Sequence, residues 1–137
     1  MSALIDTFQK DVLGPFELTS SDYAVLTALR SAGRPYALSP SQLHAQLWRS
    51  SGGMTKILKR LEESGLVERA PDMEDGRRIR VTLSARGLSL HDRVFRALAA
   101  ASNRLLGGLT EPQKTEIDRA LKRLHHHLEA LEDGTNS

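Results

Sequence analysis

The chain of 137 residues contains no cysteine. Disulfide bonds, zinc–thiolate sites and redox sensing through a thiol are therefore excluded. It also lacks an apolar run long enough to span a membrane, and its N-terminus has neither the basic start nor the apolar core of a signal peptide. We expect a single cytoplasmic domain with no membrane partner.

Signatures of catalysis are also missing. The sequence has no Gly-x-Ser-x-Gly elbow, no His-Glu-x-x-His pattern and no glycine loop for phosphates, although residues 51–54, Ser-Gly-Gly-Met, come nearest to such a loop. His125, His126 and His127 are consecutive, so on a helix their side chains diverge and cannot meet at one metal ion. We expect no enzymatic activity, no cofactor and no metal.

Positive charge is concentrated in one part of the chain, although the net charge is only +2. Residues 49–86 carry 9 Lys and Arg against 6 Asp and Glu, whereas the counts are 3 and 4 in residues 1–48 and 7 and 7 in residues 87–137. A local excess of this kind is typical of a nucleic-acid-binding surface. The alternative interpretation is a solvated, charged loop.

A helix with one apolar and one basic face is predicted from about Ser51 onwards. Gly52 and Gly53 leave the start of this helix open to a phosphate, and Gly65 supplies the left-handed residue that ends it. Apolar residues at i, i+3, i+4 and i+7 form one face of the helix: Met54, Ile57, Leu58 and Leu61. Polar residues form the opposite face: Thr55, Lys56 and Lys59.

The hydrophobic period changes from 3.6 to 2 after this helix. A short strand is predicted over residues 66–69, and a second over residues 79–83, in which Ile79, Val81 and Leu83 would form the half-buried face. The pair Asp75-Gly76 between them is a hairpin-turn signal. A helix followed by a strand, a basic loop and a strand predicts a winged helix.

The N-terminal part completes a helix-turn-helix. We expect a short amphipathic helix over residues 1–13, a helix capped by Thr19 and Asp22, and an edge strand at residues 36–38. Ser39-Pro40-Ser41-Gln42 marks the start of another short helix, and residues 48–50 then turn the chain into the basic helix. Trp48 is interpreted as a packed hinge residue, with base stacking as the alternative.

Two long helices are predicted at the C-terminal end. Ser84 would cap the first, which runs to about Leu106, and Thr110 would cap the second. The last helix carries apolar residues at intervals of four and three: Ile117, Leu121, Leu124, Leu128 and Leu131. This coiled-coil-like repeat favours a homodimer over packing within one chain.

The run LEESGLVERAPDMEDGRRIRVTLSARG, residues 61–87, resembles the signature of the MarR family of bacterial transcription regulators. It carries Ser84 where threonine is usual, and the positions that match the family pattern are Asp75, Arg77, Val81, Leu83 and Gly87. The resemblance implies a mainly α fold with a small β-wing. It places a winged helix-turn-helix at residues 18–86 and dimerisation helices at residues 1–13 and 87–133.

The resemblance also implies a function. Members of the family are most often homodimeric repressors that bind pseudo-palindromic double-stranded DNA, and many respond to a small aromatic acid. In them the aspartate at the position of Asp75 pairs with an arginine and braces the wing. The first helix of this chain is short for the family, so its contribution to the dimer stays open.

The basic helix and the wing contain the candidate DNA contacts. Because the exposed positions are hydroxyls and cations rather than apolar anchors, we favour DNA over the alternative of a winged-helix module that binds proteins without specific DNA binding. The DNA-binding candidates are Ser50, Ser51, Gly53, Thr55, Lys56, Lys59, Arg60, Arg77, Arg78 and Arg80.

Overall fold

The computed structural model describes residues 2–47 and 51–135. Within them the chain is mainly helical and has one small antiparallel sheet, as predicted. The predicted turn at residues 48–50, which includes Trp48 and Ser50, lies outside the described residues. The elements are α1 (Ser2–Leu13), a short 3-10 helix (Gly14–Phe16), α2 (Ser20–Ser31), β1 (Ala37–Leu38), α3 (Pro40–Leu47), α4 (Ser51–Glu63), β2 (Val67–Pro71), β3 (Ile79–Leu83), α5 (Ala85–Leu106) and α6 (Glu111–Thr135).

The sheet has the strand order β1-β3-β2. Val67 pairs with Leu83 and Pro71 pairs with Ile79, so β2 and β3 form the ribbon of the wing. β2 begins one residue later and ends two residues later than the predicted strand at residues 66–69. The reason for the later start is that the backbone of Leu66 is used to end α4: its N–H donates to the carbonyl of Leu61 at 2.9 Å.

The predicted helix caps are confirmed. The hydroxyl of Thr19 accepts the N–H of Asp22 at 3.1 Å, and the carboxylate of Asp22 accepts the N–H of Thr19 at 2.9 Å. Ser39 and Gln42 exchange the same pair of bonds at the start of α3. Each pair satisfies two polar groups that a helix start otherwise leaves without a partner, which is why these short helices begin where the sequence indicates.

The core lies beneath α4 and the sheet. The predicted apolar face of α4 is buried, as are Val81 and Leu83 of β3. Ile79 differs from the prediction, because half of it is exposed: it lies at the end of β3 nearest to the wing loop, beyond the edge of the core. The buried residues of the α4 face are Met54, Ile57, Leu58 and Leu61.

The start of α5 packs tightly against the turn that ends α4. The hydroxyl of Ser84 donates to the carbonyl of Gly65 at 2.7 Å and accepts the N–H of Gly87 at 2.9 Å. A Cβ at position 87 would lie 2.0 Å from the carbonyl oxygen of Leu66, so this contact requires glycine. Gly65 itself has a φ of +69°, in the left-handed region.

The chain divides into two compact units, residues 1–99 and 100–137. The first contains the winged helix together with α1 and most of α5, and the second contains the end of α5 and all of α6. In the second unit, three apolar side chains of the predicted seam are exposed: Ile117, Leu121 and Leu124. No helix within residues 2–47 and 51–135 combines the length and the apolar character needed to cross a membrane.

Candidate nucleic-acid interface

Helix α4 presents Thr55, Lys56 and Lys59 on its exposed face, opposite the apolar face in the core. The Nζ of Lys59 lies 4.0 Å from a carboxylate oxygen of Glu63, and both side chains are largely exposed. An exposed pair at this distance contributes little and can be exchanged for a phosphate. Gly53 lies in the first turn of α4, while the side chain of Ser51 is outside the described part of the chain.

Arg60, one helical turn after Lys56, is held by a partner within the protein. Its Nε donates to Asp22 Oδ1 at 3.1 Å and its Nη2 donates to the same oxygen. The Asp22 side chain is only 3% exposed and that of Arg60 is 50% exposed, so a guanidinium at the surface neutralises a buried carboxylate. This pairing with a buried group distinguishes Arg60 from Lys59, whose carboxylate partner is largely exposed.

The wing loop runs from Asp72 to Arg78. The N–H of Asp72 donates to the carbonyl of Arg78 at 2.8 Å, and the N–H of Arg78 donates to the carbonyl of Asp75 at 2.9 Å. Gly76 is not in the left-handed region that the expected tight Asp-Gly hairpin turn requires. The two strands are therefore joined by a longer loop. The last strand pair is Pro71 with Ile79, and the turn at Asp75–Arg78 lies beyond it.

Asp75 and the two arginines that follow Gly76 form the far part of this loop. Asp75 Oδ1 accepts the N–H of Arg77 at 3.1 Å, and Asp75 Oδ2 lies 3.5 Å from Arg78 Nε. The side chains of Arg77 and Arg78 are both exposed. The loop therefore presents two cations to solvent.

Arg80 lies on β3 and faces a carboxylate that sequence reasoning missed. Its Nε is 3.5 Å from Asp72 Oδ2. The N–H groups of Glu74 and Asp75 bond to the other carboxylate oxygen, and these two bonds are the main reason that the pKa of Asp72 lies below its usual range. Since an aspartate at the start of a loop commonly bonds to the N–H groups that follow it, these bonds of Asp72 could have been anticipated, but its pairing with Arg80 could not.

An open groove with a volume of about 800 Å³ separates the start of α3 from the wing loop. Ser39, Ser41 and Gln42 line one side, and Arg78 and Arg80 line the other together with Asp72, Glu74 and Asp75. Because three carboxylates stand beside the two guanidinium groups, we do not assign this groove as the path of a phosphate backbone.

A buried histidine joins α2 to α5. The ring of His91 stacks on Tyr23 with centroids 5.3 Å apart, its Nε2 lies 3.3 Å from the hydroxyl of Thr27, and its Nδ1 lies 3.2 Å from Asp92 Oδ1. Burial raises the pKa of Tyr23. No sequence signal pairs these residues, because Tyr23 and His91 belong to helices far apart in the chain.

Comparison with known proteins identifies the group of proteins to which the chain belongs. A sequence model described as MarR family matches residues 16–78. The HTH-type transcriptional regulator PecS of Dickeya dadantii is 32% identical over 128 residues, which span 93% of this chain and 77% of PecS. The chain belongs to the MarR family.

Another relative and a solved structure agree with this MarR-family assignment. The HTH-type transcriptional repressor Rv2887 of Mycobacterium tuberculosis is 33% identical over 112 residues, covering 82% of this chain and 78% of the repressor. A mutant form of MarR from E. coli, solved in complex with operator DNA, matches with a TM-score of 0.71 at 26% identity, covering 87% of this chain and 84% of MarR. The protein is a DNA-binding transcriptional regulator with the MarR winged-helix fold.

Proposed function

We propose that the protein is a homodimeric repressor that binds a pseudo-palindromic operator and is released from it by a small aromatic effector. The observation that carries the proposal is the shared exposure of cations on α4 and on the wing loop, with the apolar face of α4 fully committed to the core. A helix held in this way can lie in a major groove while the loop reaches the adjacent minor groove.

Individual residues have separate roles in this proposal. Thr55, Lys56 and Lys59 contact bases or phosphates in the major groove. Ser51 and Gly53 belong to the first turn of the helix, where small residues allow a phosphate to approach the backbone N–H groups, and Ser50, which precedes them in the sequence, is kept as a candidate contact. Arg77 and Arg78 extend toward the minor groove, where narrow A·T-rich segments concentrate negative potential, and Asp75 shapes the loop that carries them.

Arg60 and Arg80 are left out of the proposed contact set. Each guanidinium is paired with an aspartate that is mostly shielded from water: Asp22, 3% exposed, for Arg60 and Asp72, 18% exposed, for Arg80. The Asp75 partner of Arg78, in contrast, is 48% exposed. Moving Arg60 or Arg80 to a phosphate would leave its aspartate without that partner. The cost is larger for Asp22, which is buried, so Arg60 is assigned a structural role.

The apolar surface of α6 supports the homodimer. Ile117, Leu121 and Leu124 are between 41% and 57% exposed in the single chain and follow the four-three interval of a helix–helix seam. Apolar side chains repeated along one helix are normally covered by a partner helix, and a second copy of this chain offers the same seam. Two-fold symmetry then requires two half-sites about 10 base pairs apart.

Support for repression and for an effector comes from the relatives rather than from the geometry. Rv2887 is named a repressor, and the family pattern on residues 61–87 carries the expectation of an aromatic ligand. A ligand releases DNA only if it binds the DNA-incompetent state more tightly than the competent one. Addition of salicylate as a probe to the protein–DNA complex tests this part, and unchanged DNA affinity would argue against an aromatic acid effector.

The DNA-binding part is tested by fluorescence anisotropy with a labelled duplex taken from the region beside the protein's own gene, over a series of salt concentrations. The wild-type protein should bind this duplex more tightly than a scrambled one, and Arg77→Ala should weaken binding and lower the salt slope by about one. Lys10→Ala, which removes one exposed cation from α1, is the matched control and should leave affinity unchanged. Equal affinity for both duplexes would contradict a sequence-specific regulator.

A further inference from the structure

Asp72 connects the wing loop to strand β3 through both oxygens of its carboxylate. Its Oδ1 accepts the N–H of Glu74 at 2.8 Å and the N–H of Asp75 at 3.2 Å. Its Oδ2 lies 3.5 Å from Nε of Arg80, a residue on the opposite strand. One side chain thus holds the first half of the loop and anchors it across the ribbon.

The backbone of Asp72 holds the loop as well. Its N–H bonds to the carbonyl of Arg78 at 2.8 Å, so Asp72 and Arg78 close the base of the loop. The Asp72 side chain is 18% exposed, whereas that of Asp75 is 48% exposed. A carboxylate that receives two backbone N–H groups and is mostly shielded from water has one preferred position.

We propose that Asp72 is the positioning residue of the wing, which fixes the loop so that Arg77 and Arg78 meet the DNA in one orientation. The inference rests on the proposed function, because it assigns to Asp72 an effect on contacts that the two arginines make. Its physical basis is preorganisation: a loop that is already ordered loses less conformational entropy when it binds.

Asp75 has a different part in the same loop. The bonds that the structure shows for its side chain reach only Arg77 and Arg78, two and three residues ahead. Asp75 therefore shapes the turn at the far end, while Asp72 joins the loop to the strand. The division is not visible in the family pattern of the wing, in which the matched aspartate is Asp75.

A comparison of Asp72 with Glu74 separates a positioning role from a simple effect of charge. Asp72 and Glu74 carry the same charge and lie two residues apart on a loop that would approach phosphates. Removal of either negative charge should strengthen DNA binding if Coulomb attraction alone decides. Weaker binding after loss of Asp72, with no such loss for Glu74, is therefore the signature of a positioning residue.

The first measurement is amide hydrogen exchange of the free protein, followed by NMR in wild type, Asp72→Ala, Asp72→Asn and the control Glu74→Ala. Asn retains an acceptor oxygen for the two N–H groups, whereas Ala does not. Exchange at Glu74 and Asp75 should accelerate in Asp72→Ala and stay close to wild type in Asp72→Asn. The thermal midpoint of each variant checks that the fold is intact.

The second measurement is anisotropy with the labelled duplex from beside the protein's own gene. Asp72→Ala should bind roughly tenfold more weakly, the size of effect expected when one arginine contact is lost, and Asp72→Asn should restore most of the affinity. In a background that carries both Arg77→Ala and Arg78→Ala, Asp72→Ala should have little further effect, because it acts through the contacts of these two arginines.

Three results would overturn the proposal: unchanged exchange at Glu74 and Asp75 in Asp72→Ala, unchanged DNA affinity in that variant, or lost affinity in Asp72→Asn with exchange still protected. If the proposed function is wrong, the wild-type protein will bind the specific and the scrambled duplex equally. The hydrogen-exchange measurement tests the role of Asp72 independently, because it contains no DNA.

Discussion

The carboxylate of Asp22 on α2 pairs with the guanidinium of Arg60 on α4, 38 positions further along the chain. One oxygen of Asp22 receives Arg60 while the other accepts the N–H of Thr19 at 2.9 Å. The same side chain thus caps α2 and ties it to the helix that carries the exposed cations. Arg60 holds that helix in place rather than extending from it.

Loss of this pair should lower stability. Asp22→Ala removes a helix cap and a buried ion-pair partner, so the free energy of unfolding should fall by about 3 kcal/mol. Arg60→Ala should cost about 1–2 kcal/mol, less than for a fully buried pair because half of the Arg60 side chain is exposed. Urea unfolding followed by circular dichroism measures both changes.

Lys59→Ala is the control, because Lys59 precedes Arg60 but lies on the exposed face of α4. Its stability should stay within about 0.5 kcal/mol of wild type while its DNA affinity falls. The reverse pattern, with Arg60→Ala fully stable but impaired in DNA binding, would return Arg60 to the contact set.

Gly87→Ala should destabilise the protein by about 3 kcal/mol, because the added Cβ would lie 2.0 Å from the carbonyl oxygen of Leu66 and force α5 away from the end of α4. Gly108→Ala is the matched variant, since no heavy atom lies within 4 Å of the corresponding Cβ. Thermal unfolding of the two variants provides the comparison. If both had the same midpoint, close packing at Gly87 would be wrong.

Stability should decrease at acidic pH through Asp92 and Asp72. The bond from His91 is the main reason that the pKa of Asp92 lies below its ordinary value of 3.8, and the backbone N–H groups of Glu74 and Asp75 have the same effect on Asp72. A carboxyl group with a lowered pKa in the folded state contributes stability above the pKa of the unfolded state, and this contribution is lost as the pH falls through the folded-state value.

We therefore expect the free energy of unfolding to fall as the pH drops below about 4. Asp92→Asn should show a shallower fall over that range, because the substituted group no longer titrates. Urea unfolding at a series of pH values measures the slopes, and identical slopes for wild type and Asp92→Asn would show that Asp92 is not linked to folding in this way.

Leu121→Arg should dissociate the proposed dimer. The side chain of Leu121 is 57% exposed in the single chain and lies in the middle of the apolar seam, so a charge there would be buried without a partner on association. Sedimentation velocity should show twice the 15.1 kDa chain mass for wild type and the single mass for the variant. Lys122→Ala, at the next position, should remain dimeric; a monomeric wild type would exclude the seam as a dimer interface.

Local features of the fold could be predicted from the sequence. The i, i+3, i+4, i+7 pattern of α4 identified its buried face, and the serine and threonine caps located the starts of α2 and α3 within a residue. These features depend on residues at most seven positions apart, so the chain carries their signal within about two turns of helix.

The wing was only partly predicted. The alternation of Val81 and Leu83 identified the buried face of β3, but the Asp75-Gly76 signal suggested a tighter turn than the one that forms. The loop that forms runs from Asp72 to Arg78, and the carboxylate of Asp72 accepts two backbone N–H groups within it, a local bond that the Asp-Gly signal does not include.

The sequence by itself determined the family, the order of the elements and which helix face is buried, because periodicity and capping are local properties. Only the tertiary structure decided which cations remain available at the surface. Lys59 and Arg60 are neighbours with the same charge, yet one faces solvent and the other neutralises a carboxylate 38 positions away. A side chain's partner across the fold depends on how the elements pack, and no spacing along the chain records it.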